Sequence, residues 1–276
     1  MFWDGPKLGI KKASEEIDIY NIRIRNFTFD QFDRIDYKNR IDEIINYKPD
    51  AVLFTPVFHE EALNLIQSLE KEEIPFAFIN SFVDHPASLS FIGQDSRQSG
   101  YVAGKLMSFI VPEESDILVV NISRSINNHK HILKRKKGFE KYFHDLKNSR
   151  HNIEVVNIHD MDEKNNEAIL RTILNDNKNI GGIFVTNSKV YKVCKMLSKE
   201  NMNGLKVVGY DLLNENIKFL KQGRIEFLIS QKPLEQGYNG IMTLFNHVVL
   251  KRKIKRKQYL PIDIITKENI QYYLDN

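Results

Sequence analysis

Between Gly182 and Asp211 the chain reads GIFVTNSKVYKVCKMLSKENMNGLKVVGYD. GIFVT is a short run without polar alternation, which suits a strand buried on both faces. After Asn187 the apolar positions change to helical spacing over 188–199, and KVVGY (206–210) restores the strand pattern before Asp211. Strand, helix, strand in so short a span is a βαβ unit, and such a unit requires parallel strands joined by a crossover.

The same alternation extends in both directions. Upstream lie strand DILVVN (116–121), helix 130–147, strand IEVVN (153–157) and helix 164–175. Downstream come helix 213–222, with Gly223 placed for a left-handed cap, strand EFLIS (226–230), a helix from 234 to 249 and strand YLPIDII (259–265). An earlier set begins with strand Asn21–Phe27 and a helix whose stripe is Tyr37, Ile41, Ile44 and Ile45, with Asp36 as N-cap. AVLF (51–54), a helix bearing Ala62, Leu65, Ile66 and Leu69, PFAFIN (75–80), SLSFIG (88–93) and a helix capped by Asp95 complete it. Two successive sets of units predict an α/β protein of two doubly wound parallel-sheet lobes.

Composition narrows the class. A length of 276 residues, 42% hydrophobic and 28% charged, is enough for one large domain or two lobes with buried cores. A net charge of +4 permits a nucleic-acid partner without demanding one. Cys194 is the only cysteine, so no internal disulfide exists. No apolar run approaches the ~18 residues of a membrane span, and MFWDGPK lacks the charged and apolar regions of a signal peptide. KRKIKRK (251–257) reads as a solvated loop between helix and strand.

Catalytic signatures are missing from the sequence. No glycine-rich phosphate loop follows a strand, and no G-x-S-x-G elbow is present. HKH (129–131) points its histidines in different directions on a helix, so polar surface is the better reading than a metal site. The informative residues stand at strand ends: Thr55 after AVLF, Asn80 after PFAFI, Asn187 after GIFVT, Asp211 after KVVGY and Gln231 after EFLIS. Ligands of open α/β sheets bind outside the carboxyl ends of strands. Turn-making and helix capping are the competing roles for Asn and Asp at such places.

GIFVTNSKVYKV, VVGYD, GRIEFLISQKPLEQGYNGI, RKKGF (135–139) and FIGQDSRQSGYVAGKLM together resemble the effector-binding domains of LacI-type repressors. The same motifs occur in type I periplasmic sugar-binding proteins. The resemblance spans essentially the whole chain. It implies ligand contacts from Arg135, Asn187, Asp211 and Gln231 to the hydroxyls of a small sugar or sugar derivative. Asp only accepts, Arg only donates, and Asn and Gln do both, which matches hydroxyls that do both. Met161 stands where members often place an aromatic wall residue. Asn80–Ser81 replaces the Asp–Arg pair of ribose-type binders. The residues mark no cofactor, no metal site and no pair of carboxylates for catalysis.

It also implies an N-terminal lobe of 1–121 plus 234–260 and a C-terminal lobe of 122–232 plus 261–276, closing on ligand. Dimerisation through Tyr101, Leu106 and Phe109 follows from the repressor comparison, with core packing as the alternative. So do operator DNA as a partner, through a helix-turn-helix expected upstream, and a cytoplasmic location. The other reading is a periplasmic sugar-binding protein of a transporter or sensor, with a signal peptide upstream. In the family a central strand precedes the first helix, here 5–17 with Pro6 near its start, so that first strand of the N-lobe is expected upstream as well. Phe2 and Trp3 then end a loop that stacks on a sugar ring, or else plug the lobe's open edge.

Overall fold

The computed structural model describes residues 2–123, 130–147, 149–159, 161–199 and 204–274. The chain divides into two units, Met1–Gln94 with Lys232–Pro261, and Asp95–Gln231 with Ile262–Asn276. The first boundary therefore falls before residue 95 rather than after 121. The physical reason is pairing and packing. Helix α4 (Ser96–Ile110) is packed on α5 (Lys130–Asp145), and strand β4 (Asp116–Ile122) lies inside the second unit's sheet.

The first unit holds a four-stranded parallel sheet in the order β1 (Val52–Phe54), β2 (Phe76–Ile79), β3 (Ser90–Gly93), β9 (Lys257–Tyr259). Alternate residues feed different cores. Phe76, Phe78 and Phe91 meet Tyr37 and Ile41 of α2 (Arg34–Tyr47) and Leu65, Ile66 and Leu69 of α3 (His59–Lys71). Ala77, Ile79 and Ile92 face Leu244 of α9 (Pro233–Val248), on which α1 (Asp4–Glu16) packs. Gly9 and Gly237 allow that approach, since a Cβ on either would lie 1.9 or 2.1 Å from a carbonyl oxygen of the facing helix.

Three expectations for this unit need correction. Asn21–Phe27 forms no strand. It carries strand composition but has no ladder partner among the described residues, and its one ring packs sideways instead: Phe27 lies 6.0 Å from Tyr47, with the Arg25 guanidinium over both. Asp33 rather than Asp36 caps α2, accepting from the backbone of Ile35 and Asp36 at 2.8 and 3.0 Å. YLPIDII is not one strand. Its first residue ends β9 in this unit, and Asp263–Ile265 forms β10 in the other, because Pro261 has no N–H to continue a ladder. The run KRKIKRK accordingly ends inside a strand.

The second unit holds a six-stranded sheet in the order β10, β8 (Phe227–Ser230), β7 (Lys206–Tyr210), β6 (Ile180–Val185), β4, β5 (Ile153–Ile158). All its neighbours are parallel except β10 with β8. One face buries Ile117, Val119, Phe184, Val208 and Ile229 against α4 and α5. The other buries Leu118, Val120, Ile183, Val185 and Val207 against α6 (Glu163–Asp176), α7 (Val190–Lys199) and α8 (Asn214–Lys221). A strand covered on both sides needs a continuous apolar sequence, which is what LVV (118–120), IFV (183–185) and the pair Val207 and Val208 supply. Leu106 is 8% exposed within the α4 core, so it cannot face a partner; Phe109, 70% exposed, is on the surface.

Candidate functional site

The carboxyl ends of β6, β7 and β8 bring a set of buried polar residues together. Asp211 follows β7 in the left-handed region, with φ at 65°. Its Oδ1 accepts from the Gln231 backbone N–H at 3.1 Å and its Oδ2 from Gln231 Nε2 at 2.5 Å. The same Gln231 amide turns its Oε1 to the Arg135 guanidinium, which donates to it. A second nitrogen of Arg135 donates to the Thr186 carbonyl at 2.9 Å, and the guanidinium carbon sits 3.8 Å from the centre of the Tyr210 ring. Arg135, Gln231 and Asp211 thus form one relay in which the glutamine is the link between cation and anion.

Helix packing seats the arginine. A Cβ at Gly100 of α4 would lie 2.0 Å from the Arg135 carbonyl oxygen, and one at Gly138 of α5 would lie 1.9 Å from that of Arg97. Without side chains at both positions the two helices close in, and Arg135 reaches the sheet end fully buried, at 1% exposure. The strand ladder fixes the rest: Thr186 Oγ1 donates to Asn121 Oδ1 at 2.8 Å, and Asn121 Nδ2 donates to Asn157 Oδ1 at 2.8 Å. The hydroxyls of Ser99 and Tyr210 lie 3.1 Å apart.

Burial shapes the electrostatics. It pushes the Asp211 carboxyl up to about 6, against the opposing pull of Arg135 and the Gln231 hydrogen bonds. It lowers the pKa of Arg135 and raises that of Tyr210 for the same reason, because each would carry its charge away from water. Arg135 Nε has no hydrogen-bond partner among the described residues. An orphaned donor on a buried cation costs about 1–3 kcal/mol or more, so the arrangement favours an incoming acceptor. Two hydroxyls of one molecule suit it, since one would accept from Arg135 and one donate to Asp211.

The other expected residues are placed differently. Asn187 is buried, with Nδ2 donating to the Ile122 carbonyl at 2.6 Å and Oδ1 accepting from the Lys189 N–H at 3.1 Å. Half its hydrogen-bonding capacity therefore serves the loop. Met161 stands 64% exposed in the loop after β5. Thr55 and Asn80 directly follow β1 and β2 of the first unit, where Thr55 Oγ1 donates to the Ile79 carbonyl at 3.0 Å and Asn80 takes φ 65°. Phe2 and Trp3, also of that unit, are partly buried edge to face, 5.2 Å between ring centres, and Trp3 Nε1 donates to Gln31 Oε1 at 3.5 Å. Part of HKH, His129, lies outside the described residues.

Sequence reasoning missed Tyr210, Asn121 and Asn216. Tyr210 counted only as the last residue of a strand, and the strand-end rule that found Asp211 points one residue short of it. Among the described residues, no cluster of His, Cys, Asp or Glu is arranged to hold a metal ion, and no helix is long and apolar enough to cross a membrane.

A family model described as a periplasmic binding protein domain matches residues 1–252. Among solved structures, a protein proposed to be a LacI transcriptional regulator from Bacteroides fragilis is 29% identical, with 99% of this chain and 94% of that one covered at a TM-score of 0.88. A glucose-galactose binding protein from Geobacillus stearothermophilus is 18% identical over 98% and 94% of the two chains, at 0.82. An ABC transporter solute binding protein from Agrobacterium vitis, bound with alpha-D-tagatopyranose, is 21% identical over 98% and 91%, at 0.83. No curated protein matches the chain.

Proposed function

The chain belongs to the periplasmic binding protein domain family, and from that premise we propose that it binds a small sugar or sugar derivative. The observation that carries the reading is the buried Arg135–Gln231–Asp211 relay with its unsatisfied arginine N–H. Tagatose is bound by the relative from Agrobacterium vitis, and D-arabinose by one from Burkholderia graminis. Those ligands make pentoses and hexoses the first class to test. Asn187, Met161, Thr55, Asn80, Phe2 and Trp3 are the further contacts we assign.

In its finer form the reading is the effector-binding and dimerisation domain of a LacI-type transcriptional regulator. Ligand-driven closure of its two units would control binding to operator DNA through a helix-turn-helix elsewhere in the protein, in the cytoplasm. The regulator from Bacteroides fragilis favours this form, at 29% identity against 18–21% for the sugar-binding structures named above. The ABC transporter solute binding protein favours the other, a periplasmic binder that hands sugar to a permease or sensor. We read the chain as a binder rather than an enzyme because, among the described residues, no nucleophile stands beside a base at this site.

A thermal-shift screen of pentoses, hexoses and their phosphates tests the first claim. At a ligand concentration about 100 times Kd, binding adds about 2.7 kcal/mol and raises the midpoint by several degrees. A panel in which no sugar shifts the midpoint counts against the reading.

A further inference from the structure

Asn216 is fully buried near the start of α8, away from the relay's own side chains. Its Nδ2 stands 2.9 Å from the Ser188 carbonyl oxygen and 3.0 Å from those of both Tyr210 and Asp211. Its Oδ1 accepts from the Tyr191 N–H at 3.0 Å. One side chain therefore clips the loop after β6, which carries Asn187, to the loop after β7, which carries Asp211.

The second of those loops needs a clip. Asp211 is an L-residue with φ at 65°, a conformation disfavoured for any side chain larger than glycine's. Tyr210 and Asp211 are both buried, so their carbonyls beside that turn each need a donor. The Asn216 amide is that donor. Once the turn is held, the Asp211 carboxylate faces both donors of Gln231.

We propose that Asn216 is a positioning residue for the ligand site: its two amide hydrogens, one of them shared between two carbonyls, serve Tyr210, Asp211 and Ser188, and so hold Asp211 in its left-handed turn and fix the Asn187 loop in the same frame. Its functional meaning rests on the sugar-binding reading, whereas the test below reads the carboxylate itself. A matched control exists in the same unit. Asn166 is equally buried and staples the loop after β5, accepting from the His159 N–H at 3.1 Å and donating to the His159 carbonyl, with no bond to Asp211.

The experiment is a carbon-13 NMR titration of the Asp211 side-chain carboxyl in the full chain, with thermal unfolding alongside. Arg135, Tyr210 and Gln231 face that carboxyl in every variant and are left unchanged. Asn216→Ala and Asn166→Ala are both expected to lower the unfolding midpoint. Only Asn216→Ala is expected to move the titration, downward by ~1 pH unit or more, a tenfold change in proton affinity, as the freed carboxyl reaches water. A titration unchanged in Asn216→Ala, or shifted equally in Asn166→Ala, overturns the proposal. Should Asn216→Ala fail to fold, Asn216→Ser keeps one donor, and exchange of the Gln231 amide hydrogen replaces the titration. Exchange at least ~10-fold faster than in the wild type supports positioning, and an unchanged rate refutes it. Absence of sugar heat on the wild-type protein would overturn the sugar reading and leave this result standing.

Discussion

Asp211 shows how a single residue sets the behaviour of the site. Burial raises its carboxyl to about 6 in the folded chain, while an unfolded chain returns it to the ordinary range near ~3.9. The folded state therefore binds more protons between those values, and stability must fall as pH rises from about 4 to about 6, then level off. The size expected from such a gap is about 2–3 kcal/mol. Urea unfolding across this range, for the wild type and for Asp211→Asn, checks it: the asparagine variant should lose this part of the pH dependence. Ligand affinity should fall below about pH 6, since a protonated Asp211 no longer offers an ionised acceptor. Arg135→Ala should cost about 3–5 kcal/mol in urea, because it empties a fully buried site and takes the cation from the relay that ends on the buried Asp211 carboxyl. At this scale the sequence was legible where a buried polar residue stands at the end of an apolar run, as for Asp211 and Gln231. It was silent on Asn216, whose partners are carbonyls of three other residues that no spacing rule assembles.

Among the elements, the contact of α4 with α5 is sensitive to a single atom. A Cβ at Gly138 would lie 1.9 Å from the Arg97 carbonyl oxygen, whereas one at Gly223 meets nothing and is opposed only by its φ of 67°. Gly138→Ala should therefore cost about 3 kcal/mol through forced separation of the helices, and Gly223→Ala about 1 kcal/mol. Comparing the two urea midpoints tests the idea, and equal costs would contradict it. Most helices and strands were readable because each covers a strand face whose apolar run announces it. The failures share a cause. A strand is defined by its partner, and periodicity reports only a face. Asn21–Phe27 has the face without the partner, and Lys257–Tyr259 has the partner, β3, behind a sequence of charges. Pro261 alone hinted that YLPIDII would break.

For the whole molecule, the alternation of strands and helices was enough to give two α/β units. The point of division was not, because the chain between 95 and 121 pairs according to contacts far along the sequence. The regulator reading carries a prediction at this scale. Phe109 is 70% exposed on α4, so Phe109→Glu should leave the unfolding midpoint within about 0.5 kcal/mol of the wild type. It should also convert a dimer to a monomer in sedimentation velocity. A wild-type chain that sediments as a monomer would count against dimerisation through that helix.

The central claim is that the buried Arg135–Gln231–Asp211 relay receives a sugar. Calorimetric titration of the best sugar from the thermal-shift panel into wild type and Asp211→Ala decides it most directly. The expected result is saturable one-to-one binding to the wild type, weakened by about 10–100-fold in the variant, the worth of a hydrogen bond to a charged group. Equal affinity in the two proteins would place the sugar elsewhere and contradict the account.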